Sequence, residues 1–148
     1  MAGRVVVGVD GSEHSAAALR WAMEEARLRG AELVAVHAWT FVPPTAVAEP
    51  GMIPVAATDL MDDLALERQA AERSLDDALA SVLGDDASSI ERILGEGSPS
   101  EVLVDASADA DLVVVGSRGR GGIKGALLGS VSQHLAQHAH CPVVIVRG

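Results

Sequence analysis

Aromatic residues are nearly missing from this chain, which has two Trp, one Phe and no Tyr. A core without them has to be built from Val, Leu, Ile and Ala, which suits a parallel sheet covered by helices. Cations are also few: 11 Lys and Arg stand against 21 Asp and Glu, a formal net charge of -10 at pH 7. A polyanion of that sign repels DNA and RNA phosphates. No basic stripe interleaved with aromatics occurs, so nucleic acid is not an expected partner. Docking on anionic membranes is disfavoured by the same argument. The single cysteine, Cys141, cannot make an internal disulfide, in keeping with a reducing cytoplasm. Long apolar runs are lacking too. No stretch reaches the roughly 18 uninterrupted apolar residues of a membrane-spanning helix. The opening MAGRVVVGVD runs into a strand-like segment without the apolar region of a signal peptide. The expectation is a cytoplasmic protein.

What is present fits one α/β domain over residues 1–148, with 49% hydrophobic residues to fill a core. Arg4 to Asp10, RVVVGVD, is a β-branched run suited to a strand buried on both faces. Asp10-Gly11-Ser12 follows as a turn with an N-cap, then a helix to about Arg29 that Gly30 closes. Leu33 to Ala38 reads as a second strand. Thr40 to Thr58 carries four prolines (Pro43, Pro44, Pro50 and Pro54) and reads as a long loop. An amphipathic helix is expected from Asp59 to Leu83, with Leu64, Leu75 and Leu79 in its stripe. A weaker strand, Ser89 to Leu94, precedes a helix with Ser98 as N-cap and Pro99 at its first position. Asp111 to Gly116 is the cleanest strand. A helix from about Ser130 to Ala139 and a last strand, Pro142 to Arg147, complete a β-α alternation. That pattern demands right-handed crossovers and a five-stranded parallel sheet with helices on both faces, a doubly wound fold.

In such sheets ligands bind beyond the carboxyl ends of the strands, where the strand order reverses. The most unusual composition lies at one such end: after DLVVVG comes GSRGRGGIKGALLGS, Gly116 to Ser130. Glycines bring backbone N–H groups close to an anion, and the helix that opens near Ser130 aims further N–H groups and a partial positive charge at the same place. Arg118, Arg120 and Lys124 concentrate cations inside an otherwise acidic chain, which points to an anionic ligand. Neither common nucleotide motif explains the loop. In GxxxxGK(S/T) a hydroxyl residue must follow the lysine, whereas Lys124 is followed by glycine. In GxGxxG a glycine must stand where Lys124 does.

The spacing Gly116-x2-Gly119-x9-Gly129-Ser130 resembles the ATP-binding signature of universal stress proteins. The likeness extends over nearly the whole chain, through VVVGVDGSEHSAAALRWA, AVHAW, DLVVVGSRGRGGIKGALLGSVS and HCPVVIVR. It implies a Rossmann-like fold of the adenine nucleotide alpha hydrolase kind, and positions for ATP. Gly8 and Val9 would flank the adenine, Asp10 would stand near ribose and adenine, and the Ala38 backbone would meet the base. Val115, Gly116, Ser117, Arg118 and Gly119 would line the path of ribose and α-phosphate. Gly129, Ser130, Val131 and Ser132 would hold the outer phosphates by N–H groups and hydroxyls. Mg²⁺ would ride on the phosphates rather than in a protein cage. Arg120 and Lys124 fall where members of the family vary.

Other polar residues have simpler readings. Asp10 also suits a turn that caps the first helix, and Ser130 and Ser132 suit caps. His134 and His138 have the i, i+4 spacing of a transition-metal pair, but no further ligand stands at a supporting spacing. The expectation is therefore no protein-held metal. His37 reads as packed at a strand end, and Cys141 as a buried, inert thiol. The strand 142–147, if it lies at a sheet edge, invites pairing with a second copy, and the family resemblance likewise implies a homodimer through it. The function expected is an ATP-dependent regulatory module with an unidentified protein partner. A slow ATPase or phosphotransferase, or a contact-only module of the same fold, are the alternatives. The enzyme reading lacks a general base, because no carboxylate or histidine occurs from Gly119 to Ser132.

Overall fold

A computed structural model of the chain describes residues 3–41, 57–119 and 128–148. The elements are β1 (Arg4–Gly8), α1 (Glu13–Arg29), β2 (Glu32–Trp39), α2 (Ala57–Leu83), β3 (Glu91–Glu96), α3 (Pro99–Ser107), β4 (Leu112–Gly116), α4 (Ser130–His138) and β5 (Val143–Val146). All strand pairs are parallel and the order across the sheet is β3-β2-β1-β4-β5. The doubly wound sheet expected from the sequence is thus the one observed, with β5 at an edge. Most of the Pro-rich segment, and Arg120 and Lys124, lie outside the described residues.

The alternation along each strand assigns the layers. Val5 and Val7 of β1, Leu33 and Ala35 of β2, and Leu112 and Val114 of β4 pack with Leu19 and Ala22 of α1 and Leu75 and Leu79 of α2. The intervening Val6, Val34, Val36, Val113 and Val115 face Leu103 of α3 and Leu135 of α4. Chain order explains the division. Steps from β1 to β2 to β3 run one way across the sheet, and those from β4 to β5 run the other way, so right-handed crossovers put their helices on opposite faces.

Local chemistry sets the helix ends. Ser12 accepts the Ser15 N–H at 3.2 Å and caps α1, and Ser98 accepts that of Glu101 at 3.3 Å and caps α3 with Pro99 at its first turn. Gly30, at φ 62°, takes the left-handed conformation that ends α1, its N–H reaching back to the carbonyls of Ala26 and Arg27. Several boundaries lie one or two residues from the sequence expectation. Helix α2 begins at Ala57 rather than Asp59, and β3 starts at Glu91 rather than Ser89. The second shift arises because Gly84–Ser89 forms a 3-10 helix, in which the Ser88 and Ser89 hydroxyls donate to the Asp85 and Asp86 carbonyls. Backbone wound into 3-10 turns lacks the extended conformation that a sheet ladder needs.

Leu79 is wholly buried between α2 and the sheet, whereas Leu28 of α1 is 74% exposed. Leu79→Ala is expected to lower unfolding stability by about 2–5 kcal/mol in urea titration. Leu28→Ala is expected to stay within about 0.5 kcal/mol of the parent.

Candidate functional site

The two winding directions part between β1 and β4, and a cleft opens there at the carboxyl ends of the strands. Its volume is about 250 Å³. Gly8 and Val9 at the end of β1, Val36, His37 and Ala38 on β2, and Val115 and Gly116 on β4 form its floor. Asp10, Arg118 and Gly119 come from the loops after β1 and β4. Pro99 and Leu103 of α3 close one wall, and Gly129, Ser130, Val131 and Ser132, where α4 begins, close the other. Both helices point their N-termini at the cleft, a favourable field for an anion.

Of the described positions that the family resemblance implies for the nucleotide, all except Ser117 line this one cavity. Ser117 lies beneath it, 6% exposed, and ties the site together. Its N–H donates to the Val146 carbonyl at 2.8 Å, and its carbonyl accepts the Gly129 N–H at 2.6 Å. The Ser132 hydroxyl, also buried, lies 3.0 Å from the Gly129 carbonyl and 3.2 Å from that of Ser117. The two ends of the Gly-rich segment are thereby pinned together beside β5. The Ser132 hydroxyl donates inward, so Ser132 offers the cleft an N–H and an acceptor oxygen rather than a donor hydroxyl.

The helix start also corrects the sequence reading of the caps. Gly129 is the N-cap of α4 and gives no side-chain cap, while Ser130 is the first helical residue and is exposed. The N–H groups of Ser130, Val131 and Ser132 have no partner within α4, as at any helix start. A side-chain cap would place an oxygen over these donors. Glycine leaves them facing the cleft.

Steric limits explain the glycines individually. A Cβ on Gly116 would stand 2.7 Å from the backbone carbon and oxygen of His14, so the first turn of α1 packs directly on the end of β4. Among the described residues, a Cβ on Gly119 would meet the Asp10 carboxylate alone, its Oδ2 at 2.8 Å, and the three atoms nearest to one on Gly8 belong to side chains, the first being Leu103 Cδ1 at 2.9 Å. Gly129 has the Arg118 Cα and the Ser117 carbonyl oxygen at 3.3 and 3.4 Å from such a position.

Asp10 has two tasks. Its Oδ1 accepts the Ser12 N–H at 2.9 Å, the turn-shaping bond expected from Asp-Gly-Ser, and Gly11 takes φ 81° within that turn. Its Oδ2 faces the position of Gly119 across the cleft. Ser15, not foreseen from the sequence, supports Asp10: its Oγ accepts the Asp10 N–H at 3.3 Å and donates to the Ser12 carbonyl at 3.1 Å. His37, Val36, Pro99 and Leu103 also line the cleft without having been assigned to it from the sequence. His37 Nδ1 lies 2.7 Å from the Val9 carbonyl, which can only accept, so this nitrogen carries the proton. Pro99 was legible only as a helix start, and nothing local marks it or Leu103 as a wall.

Cys141 stands apart, half-buried beneath α4. Burial raises its thiol pKa, and the Asp111 carboxylate adds to the effect. A thiol shifted upward holds less thiolate at neutral pH and reacts more slowly.

A doubly wound sheet, with a cleft at the reversal point walled by glycine backbone and two helix N-termini, places the chain among Rossmann-like α/β proteins. A model of the universal stress protein family matches residues 1–147, and the chain belongs to that family. It is 42% identical over 144 residues to universal stress protein Rv2005c of Mycobacterium tuberculosis, an alignment covering 97% of this chain and 45% of that protein. The chain thus spans about half the length of the curated relatives it matches. Among solved structures, a universal stress protein in complex with cAMP is similar at TM-score 0.58 and 29% identity, with 97% of this chain and 95% of that one covered. UspA from Lactobacillus plantarum shares the fold at TM-score 0.72 and 23% identity, over 98% and 97% of the two chains.

Two substitutions separate packing from ligand space. Gly116→Ala is expected to cost about 1–3 kcal/mol or more, because backbone must move. Gly119→Ala is expected to melt close to the parent, because the neighbour it meets among the described residues is a carboxylate that can turn. Equal losses of thermal stability in the two would refute the assignment. Cys141 is expected to react with iodoacetamide at pH 7 several-fold more slowly than free cysteine.

Proposed function

We propose that the cleft binds ATP with Mg²⁺ on its phosphates, and that nucleotide occupancy makes the chain a regulatory module acting in the cytoplasm as a homodimer. The observation that carries this reading is the convergence of Gly8, Asp10, Gly116, Gly119, Gly129 and Ser130 on one cavity at the sheet reversal. Adenine and ribose would lie over Gly8, Val9 and Ala38, with Asp10 accepting from ribose hydroxyls. The phosphates would run past Gly116, Arg118 and Gly119 to the open N–H groups of Ser130, Val131 and Ser132. The donors facing that end are a guanidinium, a hydroxyl and backbone N–H groups, a set that suits phosphate oxygens. Mg²⁺ would take its ligands chiefly from those oxygens and from water. The complex of a solved relative with cAMP supports an adenine nucleotide as the ligand class.

Strand β5 supports the dimer. Val143 to Val146 are all half-buried on an edge strand, so its outer backbone groups suit pairing with a second copy. Hydrolysis is the second reading. The absence of any carboxylate or histidine between Gly119 and Ser132 leaves an attacking water without a base there, so binding without rapid turnover is expected.

The first test is chromatography of the small molecules released on denaturing freshly purified protein, followed by calorimetry with Mg-ATP. Near-stoichiometric adenine nucleotide, or ATP binding to emptied protein, is expected. An empty protein without any thermal shift on adding Mg-ATP would overturn the reading in favour of a contact-only module. Arg118→Ala is expected to weaken ATP by roughly tenfold or more, the worth of one charged hydrogen bond, while changing adenosine binding little. Light scattering should return twice the chain mass, and a strictly monomeric result would remove the dimer.

A further inference from the structure

Two imidazoles on α4 have no part in the cleft. His134 is half-buried, His138 is exposed, and they stand four residues apart on one helix face. Their ring centroids are 4.4 Å apart and the planes are tilted by 41°. We propose that His134 and His138 form a two-imidazole site for a transition-metal ion of tetragonal preference, Cu²⁺ above all, with water completing the coordination.

The separation of the rings carries the proposal. A metal–imidazole bond of about 2.0 Å, with roughly 1.15 Å more from nitrogen to ring centre, puts each centroid about 3.15 Å from a shared ion. A right angle at the metal then separates the centroids by about 4.4–4.5 Å, and a tetrahedral angle by about 5.1 Å. The 4.4 Å of this pair matches the right angle. Histidine χ2 is a soft torsion, and the ring centre lies close to its axis. Turning one nitrogen of each ring toward a common point therefore leaves the separation nearly unchanged. The helix has already brought the rings together, which removes much of the ordering cost of chelation.

The choice of ion follows from the donors. Imidazole nitrogen suits Cu²⁺, Ni²⁺ and Zn²⁺, and copper stands highest in the divalent series. Among the described residues no group of three or more His, Cys, Asp or Glu gathers around a possible ion. A two-ligand site holds Zn²⁺ poorly, since structural zinc wants four protein ligands. The clip would close the last turn of α4, whose following residues are already anchored: the Ala139 N–H bonds the Leu135 carbonyl at 2.9 Å, and the His140 N–H donates to Ser107 Oγ at 2.9 Å. Spacing alone left the pair short of a site, and the ring geometry supplies what spacing lacked.

This inference does not rest on the nucleotide reading, so its test uses the full chain without nucleotide. Cu²⁺ is titrated at neutral pH and followed by calorimetry and electron paramagnetic resonance. One ion per chain is expected, with nitrogen hyperfine structure from two imidazoles and a raised melting temperature. His134→Gln and His138→Gln should each weaken binding by roughly tenfold or more, the scale on which lost ligand-shell groups act. His140→Gln should leave affinity and spectrum unchanged. Because His138 is exposed, His138→Gln should melt like the parent in EDTA, which keeps loss of binding distinct from loss of fold. Absence of saturable binding, or a copper spectrum and affinity that survive removal of both histidines, would overturn the proposal.

Discussion

The first turn of α1 rests on the end of β4 with no room for a methyl group between them, since a side chain on Gly116 would meet the His14 backbone at 2.7 Å. That approach fixes where α1 starts, and therefore where the Asp10-Gly11-Ser12 turn lies relative to the loop after β4. The Asp10 carboxylate is shared between the Ser12 N–H and the space beside Gly119 only because the two loops are held at this distance. A larger residue at 116 would push the start of α1 away from the end of β4. The glycine thus belongs first to the packing of the scaffold, and through it to the site.

A second constraint fastens the opposite wall. Ser117 bonds β5 through its N–H and Gly129 through its carbonyl, and the Ser132 hydroxyl reaches the Ser117 and Gly129 carbonyls from α4. The start of α4 is therefore referred to β4 and β5. Such an arrangement suits a binding function, in which preorganised N–H groups cost little to reorder when an anion arrives.

How far the sequence disclosed this depends on the kind of information each feature needs. The layers were legible because a parallel sheet writes itself as continuous apolar runs such as VVV and DLVVVG, and the ends of α1 and α3 because Ser12, Ser98, Pro99 and Gly30 act locally. The site glycines were legible from spacing, with the family resemblance supplying their roles. What escaped was either long-range or ambiguous. Ser15 is one more small helix residue until Asp10 is seen to donate to it. Leu103 and Pro99 become a wall only when α3 crosses to the other face. The 3-10 helix over Gly84–Ser89 reads as a loop, because its serines bond backward to carbonyls in a pattern that shares its composition with a turn. Ser130 looked like the cap because serine is the commoner cap, and glycine serves here for the opposite reason, to leave the helix end uncovered.

The charge distribution then favours binding over chemistry. A chain of net charge -10 repels a polyphosphate at long range, so attraction has to be local and made of directed donors. Arg118 and the uncovered N–H groups of α4 are such donors, and each is worth more to a fully charged phosphate than to a neutral hydroxyl. Hydrolysis would further require a proton acceptor near the outer phosphate. Asp10, the one carboxylate lining the cleft among the described residues, is tied to the α1 turn at the end of β1, whereas in the proposed pose the outer phosphates would lie toward Ser130. The cleft thus sets its carboxylate beside Gly119 and the Asp-Gly-Ser turn, and the donors of the α4 start on the wall that Gly129 and Ser130 form.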